Sequence, residues 1–233
     1  MKERSWERAS AASGLATAVL LLLAFVMVPN APGLDAGAGS ILRYLDERRT
    51  AVLTASLLVT LAVVAFLWFT AHLRHVLQRA EKGAEAFSPV VLVSGVSLAT
   101  MCALSMVPLA ALATLAAPPL RLGEIETVRV LYAVHQLSLG PMGLLVALFA
   151  ASAGAAMVRR EMVGPWLGWL GMVVAVIGLI SGVGSFLAPT GTMMLLGYVV
   201  GIAFALWIAA ASIVMLVRPE VERASSVRGV FAH

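Results

Sequence analysis

The stretch "GPWLGWLGMVVAVIGLISGVGSFLA", residues 164–188, decides the fold class. It holds no Asp, Glu, Lys or Arg. An α-helix rises about 1.5 Å per residue, so about 20 apolar residues cross the hydrocarbon core of a bilayer. The run shows no strict alternation of polar and apolar residues, so a barrel strand does not fit it. It reads as a transmembrane helix.

Working outward, five more runs meet the same test: 10–29, 51–71, 89–117, 131–157 and 194–217, none with an Asp, Glu, Lys or Arg. In lipid every backbone N–H and C=O must be satisfied within the protein, and a helix does this alone. The expected fold is therefore all-α, a polytopic membrane bundle of six transmembrane helices. It forms a single domain over 1–233, with a short cytoplasmic N-terminus and a flexible cytoplasmic tail from about 218 to 233. The connections at 72–88, 158–163 and 189–193 are too short to fold alone.

Composition agrees. The chain is 61% hydrophobic and 12% charged, against about 25% charged in ordinary soluble proteins. Its single cysteine, Cys102, excludes an intramolecular disulfide and a Cys-rich metal framework. Cys102 reads as a small packing residue. The net charge of +4 comes from short basic clusters beside apolar runs, the signature of a membrane surface and not of a nucleic-acid partner. Of the 16 basic residues only Lys2 and Lys82 are lysine, a bias that fits a GC-rich bacterial genome.

Lys2, Arg4 and Arg8 precede the first run, and "DAGAGS" at 35–40 offers small residues for cleavage. The apolar run of about 18 residues exceeds the usual 7–15 of a signal-peptide core, so a retained signal anchor is expected. With the N-terminus inside, the inner segments carry 11 basic residues and the outer segments 5. The positive-inside rule then places both termini in the cytoplasm, in the inner membrane of a bacterial cell.

Small residues let helices approach closely in lipid. Gly164 and Gly168, Gly178 and Gly182, and Gly197 and Gly201 recur four apart, and Ala147, Ala151 and Ala155 give the fourth span a similar face. The turn "APTGT" is short, so the last two spans are expected as antiparallel neighbours. These stripes serve packing within the chain first, and a homodimer or another membrane protein second. Trp68, Trp166 and Trp169 are expected at headgroup level, and Pro165 in the first turn of its helix. In loop 30–50, "ILRYLDERRT" reads as a short interfacial helix with Ser40 as N-cap and Ile41, Leu42, Tyr44 and Leu45 on the lipid. The alternative is a lid over an outer cavity. Pro108 and Pro141 each remove a backbone donor, so both bend their spans and are candidate cavity positions.

The chemistry of the spans is sparse. Without a carboxylate, Lys or Arg in the membrane, an ion-coupled pump or transporter is disfavoured and an intramembrane aspartyl protease excluded. Ser181 and Ser185 lie one turn apart with no histidine in spans five or six to act as base. His72, His75 and His135 are the histidines at or within spans. The first two belong to "FLWFTAHLRHVLQRAEKG" at 66–83, where a span runs on as an amphipathic turn, with Leu73, Val76, Leu77 and Ala80 on one side and Gly83 as its stop. His135 lies toward the opposite membrane surface, so it cannot share a haem iron with either. His72 and His75, even with Glu81 or Glu85, make a poor metal site. No catalytic residue, cofactor or metal is expected.

Three features, "LRYLDERR" before span two, "FTAHLRHVLQRAE" at its end and "GPWLGWLGMVVAV" opening span five, resemble uncharacterised multi-pass membrane proteins of actinobacteria, of the domain-of-unknown-function kind. The resemblance implies a six-helix inner-membrane protein and supplies no catalytic residues. The function expected is non-enzymatic: structural, accessory or regulatory. The alternative is a carrier or small pore for a neutral or apolar solute, and the third a membrane enzyme acting on lipid.

Overall fold

The computed structural model describes residues 2–29, 31–33, 36–81, 87–115, 122–160, 165–188 and 191–217. The described residues form helices α1 (Lys2–Met27), α2 (Ala38–Glu47), α3 (Arg49–Glu81), α4 (Ser88–Leu115), α5 (Leu122–Leu137), α6 (Leu139–Arg160), α7 (Pro165–Leu187) and α8 (Gly191–Val217). Six stretches are long and apolar enough to cross a bilayer: Ala9–Met27, Arg49–Arg79, Ser88–Leu115, Glu126–Arg159, Pro165–Leu187 and Leu195–Val217. These are the six spans of the sequence reading, the second and fourth extended at both ends.

The fourth span is two helices. Pro141 has no N–H, so the Leu137 carbonyl loses its donor. The chain turns at Ser138, between α5 and α6. Turn-closing bonds Ser138 N–H to Val134 O (3.1 Å) and Met142 N–H to Ser138 O (3.2 Å) carry the backbone across the break. Glu126–Arg159 is 34 residues, about 50 Å if straight, well beyond what a bilayer needs. The break turns the surplus aside. α6 continues among the other spans, while α5 leans on α2 and α4.

The long helices close into a ring. α1 packs on α3, α3 on α4, α4 on α6, α6 on α7, α7 on α8, and α8 back on α1. The tightest seam joins α6 and α7, where glycines bring backbones into contact. A Cβ on Gly154 would lie 2.7 Å from the Gly168 carbonyl oxygen, and one on Gly178 would lie 2.9 Å from the Gly143 carbonyl oxygen. A Cβ on Gly182 would meet Leu144 at 2.7 Å. Dispersion between such close surfaces, not apolar burial, holds helices together in lipid. Gly197 and Gly201 depart from the expected α7–α8 seam. Gly201 faces Phe25 of α1, and Gly197 has only ordinary contacts with Leu139 and Ser181. Gly164 lies outside the described residues, as does the tail 218–233.

Two clusters fill the ring at different heights. Phe66, Phe149, Phe204 and Trp207 form the larger, with ring centroids 5.3–6.3 Å apart along Phe66–Phe149, Phe149–Phe204, Phe149–Trp207 and Phe204–Trp207. The Trp207 indole N–H donates to the Leu167 carbonyl at 3.0 Å, pinning α8 to the first turn of α7. Leu73 and Leu77 of α3 extend this cluster toward the end of the bundle holding the N-terminus. The smaller cluster lies at the other end and joins Ile41 and Leu45 of α2 to Val52, Leu112, Val128 and Tyr132.

That placement corrects two expectations for loop 30–50. Ile41 and Leu45 are buried against protein, not laid on lipid. Ser40 is not the N-cap: Gly37 holds that position, and the Ser40 hydroxyl donates back to the Gly37 carbonyl at 2.6 Å. The i, i+4 spacing of Ile41 and Leu45 puts both on one face, and three neighbouring helices offer a surface to receive it.

Candidate functional site

Between the two clusters the ring is not filled. A cavity of about 190 Å³ occupies the half of the bundle nearer α2, and residues of all six spans line it. Phe66 and Phe204 of the aromatic cluster form its floor. Val28 and Leu109 bound its other end, and both also pack against the cluster that seats α2. α2 therefore docks on the cluster next to this end of the cavity, although no residue of α2 lines the cavity itself.

Further bonds hold this end of the bundle together. The Tyr132 hydroxyl donates to the Pro32 carbonyl at 2.7 Å, and the Gln136 amide donates to the Tyr132 oxygen at 3.0 Å. The Tyr44 hydroxyl reaches the Pro29 carbonyl at 3.5 Å. Arg49, just after α2, donates to the Thr114 carbonyl at 3.1 Å, near the C-terminal end of α4 where a cation is favoured. Tyr44 feels its partial burial, which pushes its phenol up from 10.0 to about 12; the nearby Tyr198 phenol adds to this and Arg48 opposes it.

The cavity wall is almost wholly hydrocarbon, with few polar side chains: Thr17, Ser56, His135, Ser181 and the phenol of Tyr198 among them. Thr17 and Ser56 are spoken for, each donating to the carbonyl one turn back at 2.9 Å, a common outcome for hydroxyls inside helices. Ser181 is different. It is fully buried, it is the one residue α7 contributes to the wall, and its Oγ has no hydrogen-bond partner among the described residues.

His135 is held by α4. Its Nδ1 lies 2.7 Å from the Ser105 carbonyl oxygen. A carbonyl can only accept, so Nδ1 carries the proton and a neutral ring presents Nε2 as an acceptor. Pro108 lies one turn beyond Ser105, inside the continuous helix α4, and its missing N–H leaves the Leu104 carbonyl without its usual donor. The Ser105 hydroxyl meanwhile donates to the Cys102 carbonyl at 2.8 Å, and Met142 Sδ lies 3.9 Å from the same hydroxyl.

The sequence-derived candidates fall in three places. His135 lines the cavity; Pro108 and Pro141 do not, but Met106, Leu109, Met142 and Gly143 beside them do. Gly197 and Gly201 line it as well, while Gly168, Gly178 and Gly182 belong to the α6–α7 seam. His72 and His75 lie at the far end of α3, half-buried and exposed respectively. Thr70, two residues before His72, sits against Gly95 of α4. Gly95 is ten residues, about 15 Å of helix, from the Ser105 that holds His135. The three histidines therefore share no site. No group of three or more His, Cys, Asp or Glu side chains among the described residues could hold a metal ion, and the side chains of Glu81 and Glu85 lie outside them.

Sequence reasoning missed most of the wall. Ser94, Ser97, Ser105, Ser138 and Gln136, the polar residues that a sequence offers first for such a wall, do not line the cavity. Ser94 and Ser138 donate to carbonyls of their own helices, at 2.6 and 2.7 Å. Alanines make room instead: Ala24, Ala55, Ala62 and Ala99, from three different helices, face the same space. Each is unremarkable in sequence, and only their convergence leaves a void. Ser181 has no histidine on its own helix. The fold brings His135 to the same cavity, although the two are not hydrogen-bonded to each other. No family model, curated protein or solved structure matches this chain.

Proposed function

We propose that this six-helix membrane protein is a non-enzymatic binding protein or carrier for a small, neutral, mostly apolar molecule held in this cavity. The observation that carries the reading is the cavity itself: about 190 Å³ of space, walled by all six spans and almost without polar atoms. Apolar cavities in proteins stay dry and take up apolar guests; one of about 150 Å³ holds benzene. The space here suits one or two fused rings or a short alkyl chain. A charged solute would find no counter-ion on the wall, and desolvation would disfavour it. No hydrogen-bonded Ser–His pair forms at the wall, which supports binding over acyl-transfer chemistry. The basic excess on the N-terminal side supports an orientation with both termini in the cytoplasm of a bacterial cell.

The test is naphthalene binding to the protein in lipid nanodiscs, corrected against empty nanodiscs. Saturable binding at one site per chain is expected. Ala62→Leu fills the cavity from α3, and it should abolish that binding while leaving the protein folded. Partitioning identical to empty nanodiscs, or binding unaffected by Ala62→Leu, would overturn the reading.

A further inference from the structure

The cavity has polar groups that the fold leaves open, and they select among apolar guests. Nδ1 of His135 is committed to the Ser105 carbonyl, and no hydrogen bond from a described residue reaches Nε2. Ser181 Oγ, on the same wall, is fully buried and has no partner. Ser56, Ser94, Ser105, Ser138, Ser152 and Ser185 all donate to a carbonyl of their own helix. Ser181 and Ser212 are buried hydroxyls with no partner among the described residues, and of these two only Ser181 lines the cavity. A buried polar group left unpaired costs on the order of 1–3 kcal/mol, so a guest that pairs with it recovers what an inert guest cannot.

We infer that the guest carries a hydroxyl group: an apolar alcohol or phenol whose O–H donates to Nε2 of His135, with Ser181 as a second polar contact on the wall. The inference rests on the cavity-binding reading above and names its ligand class. The chemistry is one-sided. Neutral imidazole with Nδ1 engaged can only accept at Nε2, so a ketone or ether, which has no donor, satisfies nothing there. The bond between Nδ1 and Ser105 also fixes the ring's orientation, so the acceptor is set before the guest arrives. His135 acts as a specificity determinant and not as a base.

The experiment compares 2-naphthol with naphthalene in the same nanodiscs, each corrected for partitioning into empty discs. One neutral hydrogen bond corresponds to roughly a 2- to 10-fold preference, and 2-naphthol should bind more tightly by about that factor. His135→Phe should bring the ratio close to one while naphthalene still binds. Ser181→Ala, a small change in volume, should lower the ratio in part. Because His135→Phe also strands the Ser105 carbonyl and could impair folding, the unaltered protein gives an independent readout. With ¹⁵N-labelled histidine, 2-naphthol should shift the Nε2 resonance of His135 and naphthalene should not. Equal affinities with a silent Nε2 resonance would overturn the hydroxyl assignment and leave the cavity reading standing. Failure of both compounds to bind would remove the cavity reading itself.

Discussion

At the scale of single residues, the α6–α7 seam shows how little room a membrane interface leaves. Gly154 and Gly168 meet backbone to backbone, and a Cβ on either would sit 2.7 Å from the other's carbonyl oxygen. A backbone atom cannot rotate away as a side chain can, so Gly154→Ala must part the helices. Overpacking of this kind costs about 1–3 kcal/mol. The thermal midpoint of Gly154→Ala in detergent should fall by several degrees. Gly39 is the control, since a Cβ there meets nothing within 4 Å. Gly39 lies within α2, where alanine is favoured over glycine by up to about 1 kcal/mol, so Gly39→Ala should leave the midpoint unchanged or raise it. Equal losses from both substitutions would show that the seam is not the constraint. The glycine spacing was legible in sequence, but which neighbour each glycine faced was not. Four-residue spacing defines a stripe on one helix and says nothing of the helix it meets, so Gly201 turned out to face Phe25 and not α7.

At the scale of elements, α2 is the piece whose role changed most. Its alternating polar and apolar residues fit a helix on a lipid surface equally well as one on a protein surface, because both are apolar. Burial of Ile41 and Leu45 against α3, α4 and α5 decides between them. Tyr44 reports on this docking. Its phenol is pushed from 10.0 to about 12 chiefly by burial, so the folded chain holds that proton more tightly than the unfolded chain does. For an acid with a raised value, the associated stability is complete below pH 10 and is lost as pH rises from 10 to about 12. Hydrogen exchange in α2 should therefore be steady up to about pH 9.5 and faster than intrinsic chemistry explains above pH 10. Tyr44→Phe should remove its share of that pH dependence. An unchanged profile in Tyr44→Phe would show that this phenol does not sense the docked state. The break at Ser138 belongs to this scale too. Pro141 announced a bend in sequence, yet only the fold shows that the chain beyond the break sends α5 to meet α2.

At the scale of the whole molecule, the closed ring puts the first span beside the last, and its two clusters leave a space between them. The orientation of this ring in the membrane is testable without a ligand. In a Cys102→Ser background, a cysteine at Ala36 or Leu122 should react with an impermeant maleimide added to intact cells, and one at Ser225 should react only after lysis. The reverse pattern would invert the topology. Sequence by itself determined the membrane class and the six spans, and Pro141 marked the break in the fourth. These follow from length, hydropathy and missing backbone donors, which are properties of one segment at a time. Tertiary structure alone decided the ring order, the docking of α2 and the cavity, and it placed His135, with its Nδ1 on the Ser105 carbonyl, on the same cavity wall as Ser181. The physical reason is that lipid and protein interior are equally apolar. Hydropathy can therefore say that a residue avoids water, but not whether it faces lipid, another helix or an empty space between helices.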